Sequence, residues 1–490
     1  MGMQIKIFLV CVAAHYGSYF LLSRLTPFDK ELKKYFIASV VITVSSCLLK
    51  MLLLSYIAAF IMCLRFTRGE DASYKICLLL GIAFVMPNDA GFFVNPGINL
   101  GELNYFKVLV FGLIIPILFK EKKDPSTRKF NLIDYAAIFF IIWQFFLNFG
   151  FGNFTGTLRA NLWLVVEYLL PYLVIRFYLR NYLLAFAAIS FALIAQMFVS
   201  IAEGLLSWKL YESFKQVAGF ENFIYSMYKY RHGFLRAEAV YGNPLVLSLF
   251  GNFAFLCAYL VFKKSGFEAP KSYSKLLAWG LLFVAIGGTF FTGSRAGMAG
   301  IGMMWFLYFA FGKGIEMKRD PKNKFLIAVV VGLGIFLATG QDFIKSNFGY
   351  RYKLIEVSQG VIADNFIAGN FNALDDPRME VLRQGEGIID VVNSYVYFAL
   401  HYGMFAMIAL MIAFIGGMIK TYTALRSASG EKYTLGMFML CSLAVLSFNL
   451  ATTSPLGWSY QWIWVILSIC SNIVAKVDAE KREANKVSLF

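Results

Sequence analysis

Histidine, acidic residues and paired cysteines are scarce in this chain. It carries 3 His and 29 Asp plus Glu against 45 Lys plus Arg in 490 residues. No Asp, Glu or His group falls at a metal-binding spacing. The seven cysteines (Cys11, Cys47, Cys63, Cys77, Cys257, Cys441, Cys470) stand singly in or beside apolar runs, with no C-x-x-C among them. They read as buried thiols, not as a disulfide framework or a zinc site. P-loop, dinucleotide-binding, zincin and hydrolase-elbow patterns are missing too. Nucleotide hydrolysis, a tightly bound metal and a bound cofactor are therefore not expected. Charge as a whole is scarce, at 15%, where a soluble domain carries about 25%. No small-residue cleavage site follows the first apolar span, which reads as a retained helix and not a signal peptide.

What is present is apolar: 59% of residues are hydrophobic and 18% aromatic. Runs of about 20 such residues mark membrane helices. The expected fold class is all-α, a polytopic transmembrane helix bundle of about 13–14 helices with a large external loop. Lys and Arg collect in short loops, as cytoplasmic loops of membrane proteins do. The net charge of +16 thus gives orientation, and no nucleic-acid partner is expected.

Spans are expected near 5–23, 132–149, 160–179, 182–206, 240–262, 276–292, 296–312, 325–340, 392–418, 435–451 and 459–475. The apolar run 35–66, interrupted by Lys50, is too long for one upright helix and short for two, and both readings stand. The segment 76–119 is broken at Pro87–Gly91, with a second turn at Asn95-Pro96-Gly97. Loop parity places 207–238 and 341–391 outside. A polar stretch as long as the second is usually functional or carries helices of its own. The linear organisation read from this is N-terminal helices over 1–206, a transmembrane core over 207–475 that includes the loop 341–391, and a charged cytoplasmic tail over 476–490.

The chain is organised around Gly293-Ser294-Arg295, between two apolar spans. Ser294 is positioned as an N-cap, so Arg295 opens a helix whose free N–H groups and positive dipole end suit an anion. The alternative is an interfacial arginine in a tight turn. Arg236, before Gly242-Asn243-Pro244, and Arg351, Arg378 and Arg383 of the long loop are also expected outside. Guanidinium forms forked contacts to phosphate oxygens, while ordinary loop salt bridges are the plainer reading, favoured for Arg351 and Arg383. Asp375-Asp376-Pro377-Arg378-Met379-Glu380 sets carboxylates beside one of these arginines. Asn393 and Ser394 are placed to cap the helix after the loop, with Tyr395 next and His401 about two turns deeper. His401 reads as a proton acceptor or, more simply, as a hydrogen-bonded structural residue. Glu167 and Glu203 lie within spans, where a carboxylate is either functional or structurally paired. His15 and His232 have no constellation around them.

Three stretches resemble one family. Arg236-Ala237-Glu238-Ala239-Val240-Tyr241-Gly242-Asn243-Pro244 is similar to the Arg…Gly-Asn-Pro signature of the O-antigen ligase and O-antigen polymerase superfamily. Phe291-Thr292-Gly293-Ser294-Arg295-Ala296-Gly297 resembles its Thr-x-Ser-Arg-Ala/Ser-Gly turn. The long loop followed by Asn393-Ser394-Tyr395 and, further on, Gly403 resembles its His-Asn-Ser-Tyr segment with a downstream glycine. The likeness covers about 230–415. It departs where the family has its histidine, because Val392 stands there.

The resemblance implies a metal-independent, inverting glycosyltransferase in a bacterial inner membrane, with its site facing the periplasm. Its donor would be an undecaprenyl-pyrophosphate-linked oligosaccharide, and its acceptor a growing glycan or another glycan. A chain-length regulator and a flippase would be its neighbours. Arg236, Arg295 and Arg378 are expected to stabilise the leaving pyrophosphate. Glu238, Asp376 and Glu380 are the carboxylates that would orient or deprotonate the attacking hydroxyl. Ser294, Asn243, Asn393, Ser394, Tyr395 and His401 would bind substrate. The missing histidine favours a polymerase of O-antigen, capsule or exopolysaccharide over a ligase to lipid A-core. A transporter or flippase of lipid-linked sugars is the reading from another class, since the broken segment near Pro87–Gly91 and the membrane carboxylates would suit it.

Overall fold

A computed structural model describes residues 2–49, 52–86, 92–94, 101–120, 129–151, 153–213, 229–231, 233–266, 268, 270–316, 341–383, 387–453 and 457–487. The expected span at 325–340, the turns at 87–91 and 95–97, and His232 lie outside the described residues. The fold is an all-α helix bundle of a multi-pass membrane protein. Among the described residues eight helices are long and apolar enough to cross a membrane, and four shorter apolar helices accompany them. The only strands among these residues form two small antiparallel hairpins. β1 (Phe92–Val94) pairs with β2 (Gly101–Leu103), and β3 (Tyr230–Arg231) with β4 (Phe234–Leu235). The described cysteine side chains (Cys11, Cys63, Cys77, Cys257, Cys441 and Cys470) are all buried and none is in a disulfide.

The chain divides into two compact units, each assembled from three stretches. One comprises Met1–Arg128, Leu170–Trp305 and Ala428–Phe438; the other comprises Lys129–Leu169, Phe306–Ser427 and Met439–Phe490.

In the first unit the apolar run 35–66 resolves into two helices. α1 (Gly2–Leu25) is followed by α2 (Asp29–Leu49) and α3 (Leu52–Phe66). α4 (Ala72–Ile82) starts at Asp71, whose carboxylate accepts the Tyr74 N–H. α5 (Tyr105–Leu109) and α6 (Ile115–Lys120) join through a π-helical turn at Val110–Ile114.

Three further helices surround the arginine turn. They are α10 (Tyr182–Leu206), α11 (Pro244–Phe262) and α12 (Lys275–Phe291), and α13 (Arg295–Glu316, which belongs to this unit as far as Trp305) leaves the turn itself. α10 is buried along nearly its whole length. These helices approach closely because glycines on one helix lie against side chains of the next. A Cβ on Gly288 would lie 2.7 Å from Met197, and one on Gly297 would lie 2.7 Å from Ser248. Gly204, Gly251 and Gly300 are pressed as tightly against Phe291, Thr289 and Asn252. Apolar surface drives little association inside lipid, so close backbone packing supplies the cohesion instead. Ser200 adds a hydrogen bond between helices, donating to the Gly288 carbonyl at 2.7 Å.

In the second unit α7 (Leu132–Leu147) begins with a reciprocal cap: Asn131 accepts from Asp134 N–H while Asp134 accepts from Asn131 N–H. α8 (Phe154–Leu164) and α9 (Leu170–Tyr178, which falls in the first unit) are continuous through a π-helical turn at Val165–Leu169, where Glu167 accepts from Gln461 at 3.4 Å. The long polar segment carries α14 (Gln341–Asp364) and two 3-10 turns, Ala373–Asp375 and Pro377–Leu382. It has a small core of its own, in which Leu354, Val361, Ala373, Met379, Leu382 and Val391 close around Leu400. The chain ends with α15 (Ser394–Leu425), α16 (Gly430–Leu450, of which the stretch to Phe438 falls in the first unit) and α17 (Gly457–Val487). The charged tail from Lys476 is a continuation of α17 as far as Val487.

Candidate functional site

The first unit builds a turn with arginines on it. α12 ends at Phe291. Thr292 donates its hydroxyl to the Thr289 carbonyl at 2.7 Å and accepts from the Ser294 N–H at 3.2 Å. Gly293 takes φ +61°, a conformation that costs glycine nothing and other residues about 1–2 kcal/mol. Ser294 is buried, and its hydroxyl accepts the Gly297 N–H at 3.1 Å, the N-cap expected from sequence. Arg295 is therefore the first residue of α13. It is exposed, and its guanidinium has no hydrogen-bond or ion-pair partner among the described residues.

Two further guanidiniums close on this turn. Arg236 donates through Nε to the Thr292 carbonyl at 3.1 Å, and Arg231 donates through Nη1 to the Gly293 carbonyl at 2.6 Å. The backbone beside them is tied as well, with Ala237 N–H donating to the Phe291 carbonyl at 2.9 Å. A Cβ on Gly293 would meet Arg236 at 3.1 Å and Arg231 at 3.3 Å, so the glycine admits both side chains. Partial burial, and then the adjacent Arg231, pull the Arg236 guanidinium below its ordinary pKa; Glu238 opposes this more weakly. The balance of the turn is positive. Arg231 is the residue that sequence reasoning missed, since nothing local ties it to a carbonyl 62 positions away.

Glu238 is committed elsewhere. Its carboxylate meets Lys209 Nζ at 2.9 Å in a pair whose side chains are 3% and 9% exposed. Beside it Glu203 accepts N–H bonds at 2.9 Å from Leu210, Glu238 and Ala239. Together these carboxylates anchor the strand of chain that carries Arg236. Glu238 is thus built as a structural counter-charge, and it is poorly placed to serve as a base. Asn243 caps α11, accepting from Leu245 N–H at 2.8 Å, with Pro244 in the first turn.

The second unit holds the remaining sequence candidates. Arg378 donates through Nε and Nη2 to the two oxygens of Asp376, at 2.9 and 2.7 Å, and through Nη2 to Asp364 at 2.7 Å. Asp376 also accepts the Arg378 N–H at 2.9 Å. These bonds hold the Asp376 carboxyl down to about 2 and raise the Arg378 guanidinium above its usual value. Glu380 is bound by Arg383 at 2.7 and 2.8 Å, which lowers its carboxyl in turn. Arg351 donates to the Thr452 carbonyl at 3.0 Å. Asp376 and Glu380 are therefore bound carboxylates, and Arg378 faces two.

Asn393 caps α15, accepting from Tyr395 and Val396 N–H at 3.0 and 3.2 Å. Ser394 donates to the Thr453 carbonyl at 2.7 Å, and the Tyr395 hydroxyl meets Ser447 Oγ at 2.8 Å. His401 is buried, stacked on the Tyr397 ring at 4.1 Å with Nδ1 3.1 Å from the Tyr397 carbonyl. Val392 packs at the edge of the segment's core.

Gly403 breaks α15, with φ 81° and ψ 171° inside the helix. The turn at 365–370 docks into the break. Asn370 N–H donates to the Leu400 carbonyl at 2.7 Å, and Met404 N–H donates to the Phe366 carbonyl at 2.8 Å. Trp143 Nε1 takes the Tyr402 carbonyl at 2.9 Å. Backbone groups released by the break thus find partners, as buried ones must.

No protein-family model matches the chain, and no curated protein matches it as a relative.

Proposed function

We propose that this chain is a membrane glycosyltransferase that polymerises undecaprenyl-pyrophosphate-linked oligosaccharide units into O-antigen, capsule or exopolysaccharide on the outer face of the bacterial inner membrane. The observation that supports this reading is the exposed Arg295 at the capped start of α13, with Arg236 and Arg231 held at the same turn. The chemistry suits a pyrophosphate. A hydroxyl oxygen of one glycan attacks the anomeric carbon of the other, the bond from that carbon to the pyrophosphate oxygen breaks, and its electron pair leaves with the pyrophosphate. Negative charge grows there, where preplaced guanidiniums and helix N–H groups stabilise it best. The turn needs no rearrangement to present them, since Gly293, Thr292 and Ser294 are already fixed. The hydroxyl proton must pass to a base. Glu238 is held by Lys209, and the family histidine is replaced by Val392, so the base is left without an assigned residue.

The test uses the full chain in liposomes with lipid-linked oligosaccharide extracted from the organism's own membranes, and product length read on a gel. The expected result is a ladder from the native protein and none from Arg295→Ala inserted at equal amount. A ladder of native intensity from Arg295→Ala would overturn the role of the turn. Transfer to added lipid A-core without a ladder, or movement of the unit across the bilayer unchanged, would replace the polymerase reading.

A further inference from the structure

Tyr352, Ile355, Val381 and Ile388 of the polar segment are exposed singly, but the turn at 365–370 exposes two apolar neighbours together. Its residues Phe366 and Ile367 are 47% and 56% exposed, although Leu354, Val361 and Met379 nearby are buried in the segment's own core. Exposed neighbouring apolar side chains at a loop tip are unfavourable in water, at about 25 cal/mol per Å². What lies beside them on the same unit indicates another solvent. Beyond Gly403, α15 presents Phe405, Ile408, Met411, Ile412, Ile415 and Ile419, all exposed. Their three- and four-residue spacing makes one stripe of a membrane-spanning helix, which is its lipid-facing side. The turn meets α15 at the head of that stripe, through the Met404 N–H bond to Phe366.

Depth can be judged from helix length. From Gly403 to Leu425 the helix rises about 33 Å, close to the roughly 30 Å of hydrocarbon in a bilayer. Lys420 is exposed near the far end, where a lysine reaches the interface. Gly403 then falls at the opposite boundary. Trp143 and Tyr402 gather at the same level, with Phe371 packed on Tyr402 at 5.8 Å, and Trp and Tyr are enriched at that depth. Irregular backbone is tolerated there only if its polar groups are satisfied. The turn meets that condition in several places: Asn365, Gly369 and Asn370 each donate to a carbonyl, and Phe366 accepts from Met404.

We infer that the turn at 365–370 is a membrane-contacting wedge, whose Phe366 and Ile367 side chains insert among bilayer lipids at the hydrocarbon–headgroup boundary beside α15. The lipid surface is the partner, and the wedge ties the polar segment to it. This does not depend on the enzymatic reading.

The test is nitroxide labelling of Phe366→Cys and Ile367→Cys in the full chain reconstituted in liposomes, with Ile412→Cys as the lipid-facing reference and Gln359→Cys as the aqueous one. The native chain, labelled in parallel, serves as the blank. Collision rates with oxygen and with a water-soluble nickel chelate are compared. Both turn positions should favour oxygen several-fold more than Gln359, and should approach Ile412. A ratio at both positions matching Gln359 would overturn the inference. So would labels shielded from both reagents, which would mean that protein covers the turn.

Discussion

At the scale of single residues, charge is handled in two ways. The Arg295 guanidinium is exposed with no partner among the described residues, while Glu238, Asp376 and Glu380 are each occupied by a cation. Removing one member of the buried Lys209–Glu238 pair strands the other. Lys209→Met or Glu238→Leu alone should lower stability by about 3–5 kcal/mol, and the double variant should recover most of it; chemical denaturation in detergent measures this. Retained ladder formation by the double variant would also show that Glu238 is not the base. The half-buried Asp376 behaves differently. Its folded pKa, about 2, lies below the ordinary 3.8, so the contact is fully stabilising above about pH 4 and is lost as pH falls towards 2. Cleavage of the polar segment by an acid-active protease should stay level down to about pH 4 and rise below it. Arg378→Gln should be cleaved readily at every pH in that range. The Ser294 cap was legible because a serine between a glycine turn and an apolar run has few other uses. Arg231 and Lys209 were not, because their partners lie far away in sequence and no local pattern encodes such pairs.

Among the elements, turn and helix starts were the most readable and helix interiors the least. Replacing Ser294 by Ala should cost about 1 kcal/mol of helix stability and, if the turn holds the donor, should weaken substrate use more than expression. Gly403 was noticed only as part of a motif. Its role was hidden because the apolar run 392–418 continues through it without a proline or a polar gap. The break exists to receive another segment, which a hydropathy profile does not register. Gly403→Ala would need a left-handed alanine and would drive its Cβ into Ile367 backbone. The expected loss is about 3 kcal/mol or more, seen as a lower melting temperature in detergent and faster cleavage at 365–370. The run 35–66 had the opposite problem: Lys50 was visible, but whether it ended a helix depended on packing. α2 and α3 settle the matter as two helices.

For the molecule as a whole, composition alone carried the membrane assignment, and the eight spanning-length helices among the described residues agree with it. Which stretches pack into which unit was not readable. Hydropathy reports where a helix meets lipid, and the small residues that bring α10, α11, α12 and α13 together are scattered glycines and serines with no period. Those contacts predict how the first unit fails. Gly300→Leu should wedge α13 away from Asn252 and disable the arginine turn while α13 still inserts. Loss of the ladder with normal membrane yield would bear this out, whereas native activity would show that the approach is not needed.

Gly369 and Gly403 have a consequence for how this sequence can drift. Each has a left-handed backbone, and a Cβ on Gly369 would lie 2.5 Å from the Gly403 nitrogen. Contacts between side chains can be exchanged by a larger partner on one side and a smaller one on the other. Here main chain faces main chain, and neither position has an atom left to give up. No second-site change can offset a first, so the two glycines should persist or vanish together, along with the turn that joins them.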